Sequence, residues 1–134
     1  MAYLNWKTRP GIKLTRSQHP TRQSQLEVAL PPELVAELHA ELAAAFAPGG
    51  SELKLELPEG WVTYWKLKGG LSRLQLAHPA ADQWVATIQL TDAHGAALLA
   101  GLQALGAPGG AGFAVGTLGA MAPIVNFELV LARA

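Results

Sequence analysis

The sequence predicts an α+β fold: an antiparallel β-meander with two helices on one face, in the order β-α-β-β-β-β-α-β. Two observations predict this fold. Apolar and polar residues alternate through most of the stretch from Glu52 to Leu90, and apolar residues at helical spacing lie on either side of it. The chain has 134 residues, of which half are apolar. This size and composition fit one domain with its own core.

The first strand and the first helix follow each other directly. Alternation from Gln25 to Leu30 predicts a short strand. Pro31 and Pro32 end this strand and begin the helix, because proline suits the first helical turn. The sequence Pro48-Gly49-Gly50 ends the helix. The apolar stripe of the helix consists of Leu34, Val35, Leu38, Leu42 and Phe46.

Four alternating segments from Glu52 to Leu90 predict the meander. Residues 58–60 predict a turn between the first two segments. Gly69-Gly70 predicts a two-residue hairpin turn between the second and the third. If these turns join neighbouring strands, Leu53 lies opposite Trp65, and Trp65 lies opposite Leu74. The same face is predicted to bury Trp61, Trp65, Leu74, Trp84 and Ile88 against Leu38, Leu42 and Leu99 of the helices.

The last third of the chain predicts a second helix and a last strand. Thr91 is the expected helix cap, and the apolar side of the helix carries leucines from Leu98 to Leu105. A loop rich in glycine and alanine is expected at 106–122, with a short extended piece near 113–118. The stretch 123–132 alternates and predicts the last strand. No repeat of fixed period is visible.

Charge is distributed unevenly, although the formal net charge is zero. Residues 1–24 hold bases and no acid, so we expect a basic N-terminal arm there and a single α+β domain at 25–134. This arm could bind nucleic acid, the acidic side of its own first helix, or a neighbouring subunit. The arm bases are Lys7, Arg9, Lys13, Arg16 and Arg22, and the helix acids are Glu33, Glu37 and Glu41.

The outer face of the meander is the strongest candidate for a ligand-binding site. Lys66 and Arg73 would lie opposite each other there, and a like-charge pair favours an anionic ligand. Basic and aromatic groups on an open sheet suit single-stranded nucleic acid, because bases stack on rings and phosphates attract cations. The alternative is a polar face in water, with Glu52 neutralising Lys66. The predicted contacts on this face are Tyr64, Lys66, Lys68, Arg73 and Gln75.

The residues predict no catalytic, metal or cofactor site. Cysteine is absent, which excludes disulfides and thiolate chemistry. His78 and His94 lie near opposite ends of one predicted strand, about 20 Å apart. No nucleophile elbow is present, and the glycine-rich stretch 107–112 has no following lysine. A small enzyme or small-molecule binder with a pocket under the Gly106–Ala122 loop stays as the alternative function.

A long uncharged run predicts a homo-oligomer, a dimer or higher. From Ala93 to Phe127 no residue carries a formal charge apart from a protonated His94. Small, uncharged helix faces let a partner approach closely. The side of the second helix expected to face solvent holds Ala93, Ala97, Ala100, Gly101 and Ala104.

The leading functional hypothesis is a non-catalytic binding or accessory module, homo-oligomeric, with nucleic acid or another polyanion as its ligand. In element order alone, four antiparallel strands followed by a helix is similar to the single-strand-binding Whirly and PUR folds, whose signature residues this chain lacks. The apolar run 96–125 is interrupted by prolines and glycines, so no membrane partner is expected. Met1 to Lys13 contains no apolar run, so we expect the cytoplasm.

Overall fold

The computed structural model describes residues 1–17, 24–118, 124–125 and 127–134. Arg22, one of the predicted ligand contacts, lies outside the described residues. The helices are α1 (Pro32–Phe46) and α2 (Asp92–Gly106), with a 3-10 turn at Val115–Thr117. The strands are β1 (Ala2–Asn5), β2 (Lys13–Ser17), β3 (Ser24–Leu30), β4 (Leu53–Glu56), β5 (Trp61–Leu67), β6 (Arg73–Ala80), β7 (Gln83–Leu90), β8 (Phe113–Ala114), β9 (Ile124–Val125) and β10 (Phe127–Arg133).

The strands form two mixed sheets, so the α+β class is confirmed and the purely antiparallel sheet is wrong. A six-stranded sheet has the order β1-β4-β5-β7-β6-β9, and a four-stranded sheet has the order β2-β3-β10-β8. Parallel pairs occur in both sheets: β1 with β4, β5 with β7, β6 with β9, and β3 with β10. The apolar faces of both sheets and both helices share one core.

The predicted meander fails at the connection between β5 and β6, because β7 lies between these strands. Ile88 of β7 pairs with Trp65 on one side and with Leu74 on the other. The segment 68–72 therefore crosses the end of β7 instead of forming a two-residue hairpin. The backbone N–H of Lys68 donates to Leu90 O over 2.8 Å along this path. The tight turn lies between β6 and β7, where Ala80 pairs with Gln83.

The predicted inner face is confirmed despite the changed strand order. Leu53 pairs with Trp65 as expected, and Trp65 is 1% exposed. Thr63 is a buried polar residue on this face, and its Oγ1 donates to Leu55 O over 3.1 Å and accepts from Trp65 Nε1 over 2.8 Å. Trp61, Leu74, Ile88, Leu38 and Leu42 are buried with it, and Trp84 and Leu99 are partly buried against the same core.

The N-terminal segment contributes a strand to each sheet. Ala2–Asn5 pairs in parallel with β4, and Lys13–Ser17 pairs antiparallel with β3. Between them Trp6 is buried to 1% exposure in the core. The described part of the predicted arm is therefore built into both sheets.

The two helices belong to an internal duplication, which corrects the expectation of no repeat. Pro32–Phe46 and Asp92–Gly106 have the same length, and their numbers differ by sixty. Both helices are followed by the sequence Ala-Pro-Gly-Gly, at 47–50 and at 107–110. The N-terminal caps differ: Pro31 has no side-chain bond, whereas Thr91 accepts from His94 N as predicted.

Strand pairing shows the same duplication. Lys13 pairs with Ala29, and the residues sixty positions later, Arg73 and Gln89, also pair with each other. The hairpins β2-β3 and β6-β7 are therefore equivalent. Phe113 pairs with Leu131 as Leu53 pairs with Trp65, so β8-β10 is equivalent to β4-β5. The parallel pairs β3-β10 and β5-β7 keep this correspondence: Val28 pairs with Leu131 and Ile88 with Trp65.

Each half of the chain therefore consists of a hairpin, a helix and a second strand pair, and the halves exchange these strand pairs. The first half places β2-β3 in the four-stranded sheet and β4-β5 in the six-stranded sheet. The second half does the reverse with β6-β7 and β8-β10. The six-stranded sheet additionally has β1 and β9 at its edges. Of the helices in the described parts of the chain, neither is long and apolar enough to cross a bilayer.

Candidate functional site

The outer face of the six-stranded sheet presents side chains in rows that run across the strands. Strand pairing defines each row, and neighbouring residues in a row are about 4.8 Å apart. Successive rows are two residues apart along each strand, or about 6.6 Å. The tyrosine row is Tyr3, Lys54, Tyr64, Thr87 and Gln75. The cation row is Lys66, Gln89 and Arg73. The row on the other side of the tyrosine row is Asn5, Glu56, Val62, Val85 and Ala77.

Two tyrosines lie on either side of a lysine in the tyrosine row. The Nζ of Lys54 lies 5.6 Å from the ring centre of Tyr3 and 5.9 Å from that of Tyr64. Tyr3 is 52% exposed, and Tyr64 is partly buried. Two strand spacings separate these tyrosines, or about 10 Å. Aromatic rings on an open sheet with a cation between them can stack flat ligands and hold an anion.

Tyr3 and Lys54 were missed from the sequence, for different reasons. Lys54 alternates with Leu53 and Leu55, and the correct pairing of Leu53 with Trp65 places Lys54 opposite Tyr64. Alternation could therefore have identified it. Tyr3 reaches the face only because β1 pairs in parallel with β4, and no local signal in residues 1–24 indicates that pairing.

Glu56 is the carboxylate beside the tyrosine row. It accepts a hydrogen bond from the Tyr3 hydroxyl, and its oxygens lie 3.5 Å from Lys7 Nζ and 3.9 Å from Lys54 Nζ. The bond from Tyr3, together with the charges of Lys7 and Lys54, holds the pKa of Glu56 below its ordinary value. The same bond raises the pKa of Tyr3. One carboxylate thus lies within 4 Å of two lysines, offsets one of their two positive charges and orients one ring.

The cation row differs from the prediction in one respect. Gln89 lies between Lys66 and Arg73, so these two bases are not directly opposite each other, because β7 separates their strands. Lys68 follows β5 and is exposed. Within the described ranges no carboxylate forms an ion pair with Lys66, Lys68 or Arg73. The predicted residues Tyr64, Lys66, Arg73 and Gln75 do share one face.

The equivalent face of the four-stranded sheet has different chemistry. The duplication places Ala114, Val130 and Ala132 where the six-stranded sheet has Lys54, Tyr64 and Lys66. Lys13 corresponds to Arg73, Thr15 to Gln75, and Glu27 to Thr87. The same strand pairing is therefore built without the aromatic ring and without two of the three bases.

The structure does not bring the predicted arm bases together. Lys7 contacts Glu56 beside the tyrosine row, whereas Arg9 lies 3.4 Å from Glu37 of α1. Trp6 Nε1 also donates to Glu37, over 3.3 Å. Lys13 lies on the outer face of the four-stranded sheet. One arm base thus contacts the acidic side of α1, which was among the alternatives for the arm.

Arg16 belongs to an aromatic stack near the turn ends of the sheets. Its guanidinium carbon lies 3.9 Å from the ring centre of Trp84. His78 stacks on the same indole with ring centres 3.6 Å apart, and Trp61 stacks with ring centres 5.4 Å apart. Trp84 is thus contacted by groups from β2, β5 and β6. This stack links the two sheets.

His94 is buried to 1% exposure and forms a polar network with no metal-ligand partner. Its Nε2 donates to Val115 O over 2.6 Å, and its Nδ1 forms a hydrogen bond with Ser72 Oγ at 3.0 Å. Ser72 Oγ also accepts from Thr91 N over 3.0 Å. Among the residues that the structure describes, no group of three histidines or acids could hold a metal ion.

The pocket between the two helices has few polar side chains that could bind or convert a small molecule, which is the alternative function. A pocket of about 460 Å³ opens between the C-terminal end of α1 and the N-terminal end of α2. Its walls include Phe46, Leu67 and Leu99, and Asp92 is its charged residue. In the described part of the Gly106–Ala122 loop, Val115 and Gly116 are buried, and Gly116 N donates to Glu128 over 2.8 Å.

Part of the small-residue surface of α2 faces the interior of the chain. A Cβ at Gly101 would lie 3.1 Å from the Phe113 ring, so this glycine accommodates an intramolecular contact. This corrects the expectation that Gly101 faces solvent. Ala93, Ala100 and Ala104 are exposed as expected.

Comparison of the chain with protein-family models, with curated proteins and with solved structures gives no match, so the residues of the two sheet faces are the basis for a functional conclusion.

Proposed function

We propose that this protein is a non-catalytic module that binds single-stranded nucleic acid on the outer face of its six-stranded sheet. The observation that supports this most is a tyrosine row next to a cation row on one face. Tyr3 and Tyr64 offer rings on which bases can stack. Lys66 and Arg73, which have no described carboxylate partner, offer charges for phosphates.

The internal duplication argues against a purely structural role for these side chains. The four-stranded sheet forms the same hairpins with Ala114, Val130 and Ala132 at the corresponding positions. The fold therefore does not require a lysine or an aromatic ring there. Side chains that the fold does not require, clustered on one exposed face, favour a binding role.

A single strand suits this face better than a duplex. Stacking on a tyrosine requires an unpaired base, and a duplex keeps its bases stacked on each other. The tyrosine row extends across five strands, or about 19 Å, and the cation row across three of them. A polyanion that lacks bases would use the cation row and leave the tyrosines unused.

Fluorescence anisotropy with a labelled oligo(dT) of about ten nucleotides tests the proposal. We expect binding at low salt that weakens as salt increases, and weaker binding of a duplex of the same length. No binding at low salt would refute the proposal. The small-molecule alternative would then be favoured, with the 460 Å³ pocket beside Phe46 and Leu99 as its candidate site.

The proposal includes self-association and a cytoplasmic setting. Ala93, Ala100 and Ala104 form an exposed, uncharged strip on α2, and such strips allow close contact between helices. The absence of cysteine is compatible with a reducing compartment. A homo-oligomer would place several binding faces in one particle and increase the avidity for a long strand.

A further inference from the structure

Glu56 is in a position to control which anions the tyrosine row can bind. It lies in the row beside Tyr3, Lys54 and Tyr64, on the side opposite to the cation row. Its side chain is 11% exposed, whereas the side chain of Lys7 is 57% exposed and that of Lys54 is 29% exposed. The carboxylate is therefore largely covered by the groups that it contacts.

The contacts of Glu56 reduce the positive charge available to a ligand. Lys7 and Lys54 both lie within 4 Å of its oxygens, and the Tyr3 hydroxyl donates to it. A phosphate that approached Lys54 or Lys7 would meet this carboxylate at once, and like charges at close range repel. On the other side of the tyrosine row, no described carboxylate forms an ion pair with Lys66 or Arg73; Glu52 lines a pocket together with Lys66 but forms no ion pair with it.

We infer that Glu56 is a specificity-determining residue, which directs phosphates to the cation row and makes the face select strands with bases over base-free polyanions. This inference rests on the proposed nucleic-acid function. Glu56 offsets one of the two positive charges of Lys7 and Lys54 and repels a phosphate that approaches either of them, and Lys66 and Arg73 on their own bind a phosphate backbone weakly. Tight binding then requires bases stacked on Tyr3 and Tyr64, which lie in the adjacent row.

The test compares two probes with the same backbone charge: oligo(dT) and an abasic oligodeoxynucleotide of equal length. The wild-type chain should bind oligo(dT) at least about tenfold more tightly, as expected when one or two bases stack. Glu56→Gln keeps an oxygen that can accept from Tyr3 and releases Lys7 and Lys54. It should tighten binding of the abasic probe and steepen its log–log salt dependence by about 0.7, because removing one carboxylate makes one more unit of positive charge available to phosphates.

Glu27→Gln is the matched control, because Glu27 lies on the outer face of the four-stranded sheet and the change in net charge is the same. It should leave the abasic probe nearly unaffected. If Glu56→Gln binds the abasic probe no better than Glu27→Gln does, the inference is wrong even though oligo(dT) binding stands. If the wild-type chain binds neither probe, the proposed function itself fails.

Lys7 provides a second test that does not depend on the folding of the Glu56 variant. Lys7→Gln in the wild-type chain should leave the salt dependence of oligo(dT) binding nearly unchanged, because Glu56 already neutralises that lysine. A decrease in slope of about 0.7 on this change would show that Lys7 contacts a phosphate in the wild type, and it would overturn the inference.

Discussion

Arg73 and Lys13 occupy equivalent positions in the two sheets. Arg73 is the first residue of β6 and pairs with Gln89, and Lys13 is the first residue of β2 and pairs with Ala29. Both side chains are exposed. Arg73 lies beside the tyrosine row, and Lys13 lies on the outer face of the four-stranded sheet, whose described residues include no aromatic ring. This pair therefore provides a matched comparison for the electrostatics of binding.

We predict that Arg73→Gln weakens oligo(dT) binding and that Lys13→Gln does not. The loss of one phosphate contact should reduce the log–log salt slope by about 0.7. Both changes remove one positive charge, so an effect of net charge alone would be equal in the two variants. Anisotropy titrations at several salt concentrations measure the slope, and equal effects of the two changes would contradict the assigned face.

Tyr64→Ala should weaken oligo(dT) binding by about 1–3 kcal/mol with the salt slope nearly unchanged, because stacking releases no counterions. Tyr64→Phe keeps the ring and should bind almost as the wild type does. Val130→Ala, at the corresponding position of the other sheet, is the control for a change in packing. A large decrease in the log–log salt slope of Tyr64→Ala would indicate that the ring supports binding by positioning Lys54 and not by stacking on a base.

The pH dependence of the free energy of unfolding should show how much the ionised Glu56 side chain stabilises the fold. The pKa of Glu56 is lowered in the folded chain, so its ionised form stabilises the fold above the ordinary carboxyl value of 4.5, and this contribution is lost as pH falls through the lowered value. Urea unfolding between neutral pH and about pH 3 should show a smaller decrease in the free energy of unfolding for Glu56→Gln than for the wild type. Glu27→Gln should follow the wild-type curve, and identical curves for all three chains would refute the prediction.

The network of Ser72 and His94 should show strong coupling in a double-mutant cycle. The duplication places Ile12 and Leu34 at the corresponding positions, and both belong to the apolar core. His94→Leu alone leaves Val115 O and the Ser72 hydroxyl unpaired, which costs about 1–3 kcal/mol for each group.

Ser72→Ile combined with His94→Leu removes the hydroxyl that lost its partner and should recover part of that loss. The recovery is only partial, because Thr91 N then loses Ser72 Oγ as its acceptor. The coupling energy from urea unfolding should be about 0.5–3 kcal/mol. Strictly additive effects would mean that the two side chains do not act as one unit.

Self-association should weaken when a charge is placed on the exposed strip of α2. Ala100→Arg puts a guanidinium where the proposed interface excludes water, and a buried unpaired charge is costly. Light scattering over a range of concentrations measures the mass of the particle. Ala40→Arg on α1, at the corresponding position, is the matched control. A wild-type chain that stays monomeric at all concentrations would remove this part of the proposal.

The sequence by itself determined the types of the elements from β3 to α2 and of the last strand, and the direction in which their side chains point. Alternation in β4, β5 and β7 showed that Trp65 is buried and that Tyr64 and Lys66 face outward, because successive residues of a strand point to opposite faces whatever strand lies beside them. Proline and glycine marked the ends of both helices for an equally local reason. These properties depend on residues near each other in the chain.

Only the tertiary structure decided which strands are neighbours. The Gly69-Gly70 segment is compatible both with a tight hairpin and with a wide crossing of β7, and local sequence does not distinguish them. In the structure Ile88 of β7 pairs with Trp65 on one side and with Leu74 on the other, so the connection is the wide crossing. Tyr3 joins Lys54 on the outer face of the six-stranded sheet through a parallel pair whose strands lie about fifty residues apart. Parallel pairing and the exchange of strand pairs between the two halves are long-range choices, made by the packing of the shared core.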